Sequence, residues 1–167
     1  DQLNTELGIG VGVNTGVAIV GNTGSDEKPH YGPLGHCVNL ASRVEGATKH
    51  LGVPILITGD VHAQLNPSIE TRRICQVRVV GITEPVSLFE LKGEGDDDWR
   101  QQRDIYQAAL ALYESGKWQQ ACQTLNPLLA VTASAFDLPS LSLMSRSIEL
   151  IKSPPVEFDP VWNLQSK

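Results

Sequence analysis

A carboxamide and a guanidinium stand four residues apart at Asn39 and Arg43, within His36-Cys-Val-Asn-Leu-Ala-Ser-Arg-Val-Glu45. Helical periodicity puts both on one polar stripe, with Val38, Leu40, Ala41 and Val44 serving the packed side. Such a pair suits a sugar oxygen beside a phosphate. The guanidinium stays charged at any usable pH and matches the paired oxygens of a phosphoryl group, while the amide both donates and accepts. Taken alone, the two residues fit equally a helix N-terminal cap and a surface arginine that faces water. His36, at the helix entry, reads as a cap or surface group rather than a catalyst.

The elements that must position this pair are legible as alternating strands and helices. Residues 7–13 alternate glycine with apolar side chains, Asn14-Thr15-Gly16 supplies turn chemistry, and residues 17–20 return as a β-rich run, which predicts an opening hairpin. Gly8, Gly10, Gly12 and Gly16 are not a dinucleotide fingerprint, because that motif must open a helix and a second strand follows here. Glycines in a strand mark a bend or a close backbone approach instead. Residues 24–35 predict an exposed loop rich in Gly and Pro, with a short strand around Tyr31. The Asn39 and Arg43 helix should run to about His50 and stop at Gly52, with Pro54 just beyond. A buried strand over 54–58 follows, then a brief helix over 60–65 capped by Asp60 or the threonine before it, then a hairpin of 72–80 with 85–91. The class is α+β, one sheet with helices on one side.

Composition bounds the partners. Hydrophobic residues form 41% of the 167, enough for a core, and a formal charge of −6 argues against nucleic acid or an anionic membrane as the main partner. Cys37, Cys75 and Cys122 are scattered without metal-like spacing, so they read as reduced thiols in a cytoplasmic setting. No apolar run approaches the roughly 20 residues of a membrane span, and the N-terminus lacks a signal-peptide pattern.

Several motifs occur in succession: residues 7–16, Leu-Gly-Ile-Gly-Val-Gly-Val-Asn-Thr-Gly; Val20-Gly-Asn-Thr-Gly-Ser25; Tyr31-Gly-Pro-Leu-Gly35; Val38-Asn-Leu-Ala-Ser-Arg-Val-Glu-Gly46; and Val53-Pro-Ile-Leu-Ile57. In this order and spacing the chain resembles the catalytic domain of class III nucleotide cyclases, the adenylate and guanylate cyclases, through residue 91. The resemblance implies an incomplete ferredoxin-like domain over residues 1–91. It further implies that Asn39 orients the ribose, that Arg43 stabilises the α-phosphate, and that ATP is converted to 3′,5′-cyclic AMP and pyrophosphate in a homodimer. Mg²⁺ or Mn²⁺ would be held by two aspartates in the N-terminal half of the domain. That half is missing, so no metal residue is assigned, and the fragment alone is expected to be inactive. Asp26 and Glu27 lie in a polar loop and are not ligands.

The sequence also departs from the family. Gly32, seven positions before Asn39, stands where a base-contacting side chain is usual, and Pro33 beside it has no backbone N–H, so both base-contact positions are degenerate. His36 replaces an acidic residue, and Val80 and Ile82 carry no charge where the triphosphate is often bound. An alternative reading is therefore a degenerate cyclase-like domain that serves dimerisation or regulation.

Beyond residue 91, the acidic stretch 92–98 reads as a linker into a helical extension, 99–167. Trp99, Tyr106, Ala109, Leu110 and Tyr113 share one helical face, Gly116 breaks the chain, and Trp118, Ala121, Cys122, Leu125 and Leu129 form another stripe. The pair resembles part of a tetratricopeptide repeat, although one hairpin makes no solenoid. A third helix spans 138–151, and Pro154-Pro155 ends it. Trp99, Tyr113 and Trp118 could anchor a partner, but core packing is the favoured use.

Overall fold

The structure is a computed structural model that describes residues 8–25, 28–79, 82, 84–130 and 137–163. The strands are β1 (Val11–Val13), β2 (Ile19–Ser25), β3 (Lys28–Leu34), β4 (Ile55–Thr58), β5 (Glu70–Arg78), β6 (Val86–Gly93) and β7 (Trp162–Asn163). The helices are α1 (His36–Leu51), α2 (Gly59–His62), α3 (Asp97–Glu114), α4 (Trp118–Ala130) and α5 (Leu138–Lys152). Five strands form a mixed sheet in the order β1-β4-β6-β5-β7, parallel at its two outer pairings and antiparallel within. A separate antiparallel ribbon joins β2 to β3.

The expected opening hairpin does not form. β1 pairs in parallel with β4, Val11 opposite Ile55 and Val13 opposite Ile57, while the β-rich run after Gly16 leads into β2 and pairs with β3. Glycine explains the choice. A Cβ at Gly12 would lie 2.2 Å from the Glu45 backbone nitrogen, and one at Gly10 would lie 2.2 Å from Thr48 Oγ1. The alternating glycines thus let α1 lie directly on β1, a contact no side chain would permit. Within the expected loop, residues 24–25 belong to β2 and residues 28–34 form β3, so these are strand rather than loop.

α1 ends as its sequence demands. Gly52 adopts the left-handed conformation, φ 70°, and its N–H bonds to Thr48 O. Val44, Ala47, Thr48 and Leu51 are its buried residues. Asp60 is not a cap: Thr58 holds the N-cap position of α2 without a side-chain bond, and Asp60 sits in the first turn.

One hydrophobic cluster joins α1 (Val44, Ala47, Leu51), the sheet (Leu56, Ile74, Val77, Leu88) and the later helices (Tyr106, Leu110, Leu125, Leu143). The acidic stretch 92–98 is shorter as a connection than expected, since β6 runs to Gly93 and Asp96 already caps α3 through the Trp99 N–H at 2.8 Å. Trp99 and Tyr113 are buried, and Trp118 packs edge-on against Phe158, so these aromatics serve the interior. Gly116, φ 77°, turns α3 into α4. The extended tail returns to the sheet as β7, Val77 opposite Trp162.

Arg72 crosses this interior with only 2% of its surface exposed. Its Nε donates to Glu90 at 2.7 Å, and its two terminal nitrogens donate to the two oxygens of Asp137 at 3.0 Å each. The guanidinium also lies over the Tyr106 ring. Burial alone would lower the Arg72 pKa, but the Asp137 hydrogen bond and the charges of Asp137 and Glu90 outweigh it and hold the pKa above the ordinary value.

Cys75 supplies a probe of this core. Burial pushes its thiol up to about 12, against the weaker pull of Arg146 and Arg73. Thiolate is the reactive form, so Cys75 should resist iodoacetamide at pH 8 until the chain unfolds, whereas the partly exposed Cys37 and Cys122 react sooner. Mass-mapped labelling against denaturant checks this; Cys75 modified in the native protein as fast as Cys37 would contradict it. The pKa is higher in the folded state, so this term costs stability as pH rises through the unfolded thiol's range near 9 towards 12, by about 1.4 kcal/mol per unit.

Candidate nucleotide site

Asn39 and Arg43 project from the exposed side of α1, opposite Val44, Ala47 and Leu51. Asn39 is not the helix cap, because Gly35 holds that position and receives the Asn39 N–H at 3.2 Å. Gly35 has φ 145°, a conformation that favours glycine, and bears no side chain to occupy the first-turn N–H groups. His36 is the first helical residue and is exposed, so it too is not the cap. Among the described residues neither the Asn39 amide nor the Arg43 guanidinium has a hydrogen-bond or ion-pair partner. Both groups are exposed on the helix surface.

The arginines differ sharply in this respect. Arg72, Arg73, Arg78, Arg100 and Arg103 all pair with carboxylates. A guanidinium left unpaired on a regular helix keeps its full fork of donors for an outside anion.

The start of α1 is fixed by a network of distant residues that sequence alone does not reveal. Asn14, a turn residue by its sequence neighbours, donates from Nδ2 to Cys37 O at 3.0 Å and accepts at Oδ1 from Thr58 Oγ1 at 2.8 Å. It thereby ties the end of β1, the first turn of α1 and the end of β4 together. Cys37 Sγ adds a contact to Val17 O at 3.0 Å. The only signal in the sequence was an asparagine before Thr-Gly, which is indistinguishable from ordinary turn chemistry.

Gly32 and Pro33 lie in β3, opposite Gly21 and Val20 of the ribbon. β3 passes through Gly35 directly into α1, and the two elements are in contact. The added Cβ at Gly32 would meet only the His30 ring, at 3.6 Å, so its missing side chain does not reflect a lack of space. Val80, Asp26 and Glu27 lie outside the described residues; Ile82 packs against the core.

For a divalent metal the fit is poor. Among the described residues no group of three or more His, Cys, Asp or Glu side chains could hold an ion. These residues do not supply the oxygen ligands that Mg²⁺ or Mn²⁺ requires. Among the described residues, too, no helix is long and apolar enough to cross a membrane.

Several known proteins are similar to this chain. Adenylate cyclase 1 of Rhizobium meliloti (strain 1021) is 34% identical over 82 residues, which are 49% of this chain and 12% of that protein. The terminal-differentiation specific adenylate cyclase of Dictyostelium discoideum is 32% identical over 151 residues, 86% of this chain and 7% of that protein, so that similarity runs into the helical extension. Among solved structures, the adenylyl cyclase CyaB from P. aeruginosa is 33% identical, with a TM-score of 0.44, over 52% of this chain and 43% of that one. The chain thus spans a small part of the curated relatives that it matches. Residues 1–93, which include every site residue named above, match the model of the adenylate and guanylate cyclase catalytic domain, and the chain belongs to that family.

Proposed function

We propose that the chain is the C-terminal part of a working adenylate cyclase that forms 3′,5′-cyclic AMP and pyrophosphate from ATP in the complete dimeric protein, and that it is inactive alone. The observation that carries this reading is the free, exposed Asn39 and Arg43 pair on a helix anchored by Asn14. In the reaction the ribose 3′-oxygen bonds to the α-phosphorus, the bond from that phosphorus to the pyrophosphate oxygen breaks, and the hydroxyl proton is released. Asn39 holds the ribose for in-line attack. Arg43 stabilises the negative charge that grows on the α-phosphate oxygens. Mg²⁺ or Mn²⁺ belongs to the complete catalytic domain, where it would offset charge on the phosphates.

An exposed pair needs a second wall, and a homodimer would supply it. A lone two-stranded ribbon is marginal in water, yet the β2–β3 ribbon and the residues leading to it expose Val17 at 92%, Ile19 at 73% and Tyr31 at 71%. Apolar side chains gathered there favour burial against a second copy. The scattered free cysteines support a cytoplasmic setting.

The degenerate-domain reading draws on Gly32 and Pro33, which offer a purine edge neither a side-chain partner nor, at Pro33, a backbone N–H. Calorimetric titration of the complete domain with ATP and Mg²⁺ separates the two. Saturable binding with cyclic AMP formed is the expected result. Dimerisation without nucleotide binding would replace the enzyme reading with the degenerate one.

A further inference from the structure

Arg146, on α5, is the second arginine without a carboxylate partner among the described residues, and unlike Arg43 it is half-buried. Its guanidinium lies 4.0 Å from the centroid of the Trp162 ring. Both line a cavity of about 660 Å³ between α1, α3, α5 and the returning tail. Tyr113 and Phe158 add aromatic wall, in edge-on contact with each other. Trp162 is 3% exposed, and its indole N–H lies near the Tyr113 hydroxyl without completing a hydrogen bond. A cavity of this size, with aromatic walls and a few converging polar groups, fits a small metabolite.

The charges narrow the ligand. A planar guanidinium stacked on an indole is pre-organised to receive two oxygens side by side. Glu149 and Asp159 also line the cavity, and Asp159 is already paired with Arg78. The carboxylate at Glu149 would repel a second negative charge on a ligand, which disfavours a phosphate dianion. We propose that this cavity binds a small organic monocarboxylate, its carboxylate on Arg146 and its apolar body against Phe158 and Leu150. The site is separate from the nucleotide pair and does not rest on the cyclase reading.

The test is a titration of the whole chain, ¹⁵N-labelled, with benzoate, benzamide and inorganic phosphate, following the indole N–H resonance of Trp162 assigned with Trp162→Phe. Benzoate should shift that resonance saturably, with binding weakened at least about tenfold in Arg146→Gln and unchanged in Arg43→Gln. Arg146→Lys, which keeps the charge and the stem, should bind with intermediate affinity and guards against a folding defect in the glutamine variant. Benzamide should bind far more weakly. No saturable shift up to roughly 10 mM benzoate would overturn the proposal. So would equal affinity for benzamide, tighter binding of phosphate, or benzoate affinity in Arg146→Gln equal to that of the unaltered chain.

Discussion

In the complete cyclase, Arg43→Ala should lower kcat by about 10²–10³-fold, the loss typical when one preorganised donor to a developing oxyanion is removed. The melting temperature should scarcely move. Arg43 is exposed and holds no partner among the described residues, so its truncation leaves no buried charge or cavity. That combination distinguishes a group that acts on the transition state from one that supports the fold. If Arg43 meets charge that grows in the transition state, as proposed, KM for ATP should change much less than kcat. Arg43→Lys should recover part of the rate, since a point charge remains while the two-pronged geometry is lost. Steady-state kinetics with a thermal melt on the same preparations decides the matter; unchanged turnover in the alanine variant would remove Arg43 from the mechanism.

Arg72→Ala should have the opposite signature, a fold-wide loss of stability of about 3–5 kcal/mol. The cost arises because Glu90 and Asp137 would remain in the interior without their common partner. Asp137 also accepts from the Ser140 N–H at the start of α5, so the same change loosens the attachment of that helix to the sheet. For a chain of this size the melting temperature should fall on the order of 10 °C. Denaturant unfolding of the chain measures the loss directly. A change below about 1 kcal/mol would mean that water reaches the two carboxylates and that the cluster is not sealed.

These two arginines show how far the sequence reaches. Arg43 was legible because its context is local: a helix of the right period, an asparagine one turn earlier, and a glycine that stops the helix at position 52. Arg72 was not singled out, because its partners lie 18 and 65 residues away along the chain. Nothing in its immediate neighbours distinguishes a buried triad from a surface strand residue. The same contrast holds among the strands. The hairpin of β5 with β6 was expected, since both runs are β-rich and lie close in sequence. The pairing of β1 was not, because its partner β4 lies beyond α1.

The helical extension divides in the same way. Its three helices and their buried faces follow from periodicity, and Tyr106, Leu110 and Tyr113 are buried as the stripe demands. That Tyr106 donates to Ile74 O at 2.8 Å, placing α3 on the cyclase sheet, depends on packing between distant segments. The Arg146 cavity is closed by the tail, which returns as β7 and sets Trp162 beside α5.

The order of amino acids by itself determined the family, the polar stripe of α1 and the boundaries of most elements, since these depend on side-chain period and on glycine or proline stops within a few residues. Tertiary structure alone decided which strand β1 joins, which arginines are neutralised and where the extension sits. Those outcomes turn on close approach: the missing Cβ atoms of Gly10 and Gly12 admit α1, and carboxylates brought in from distant segments settle which guanidinium groups remain available to bind.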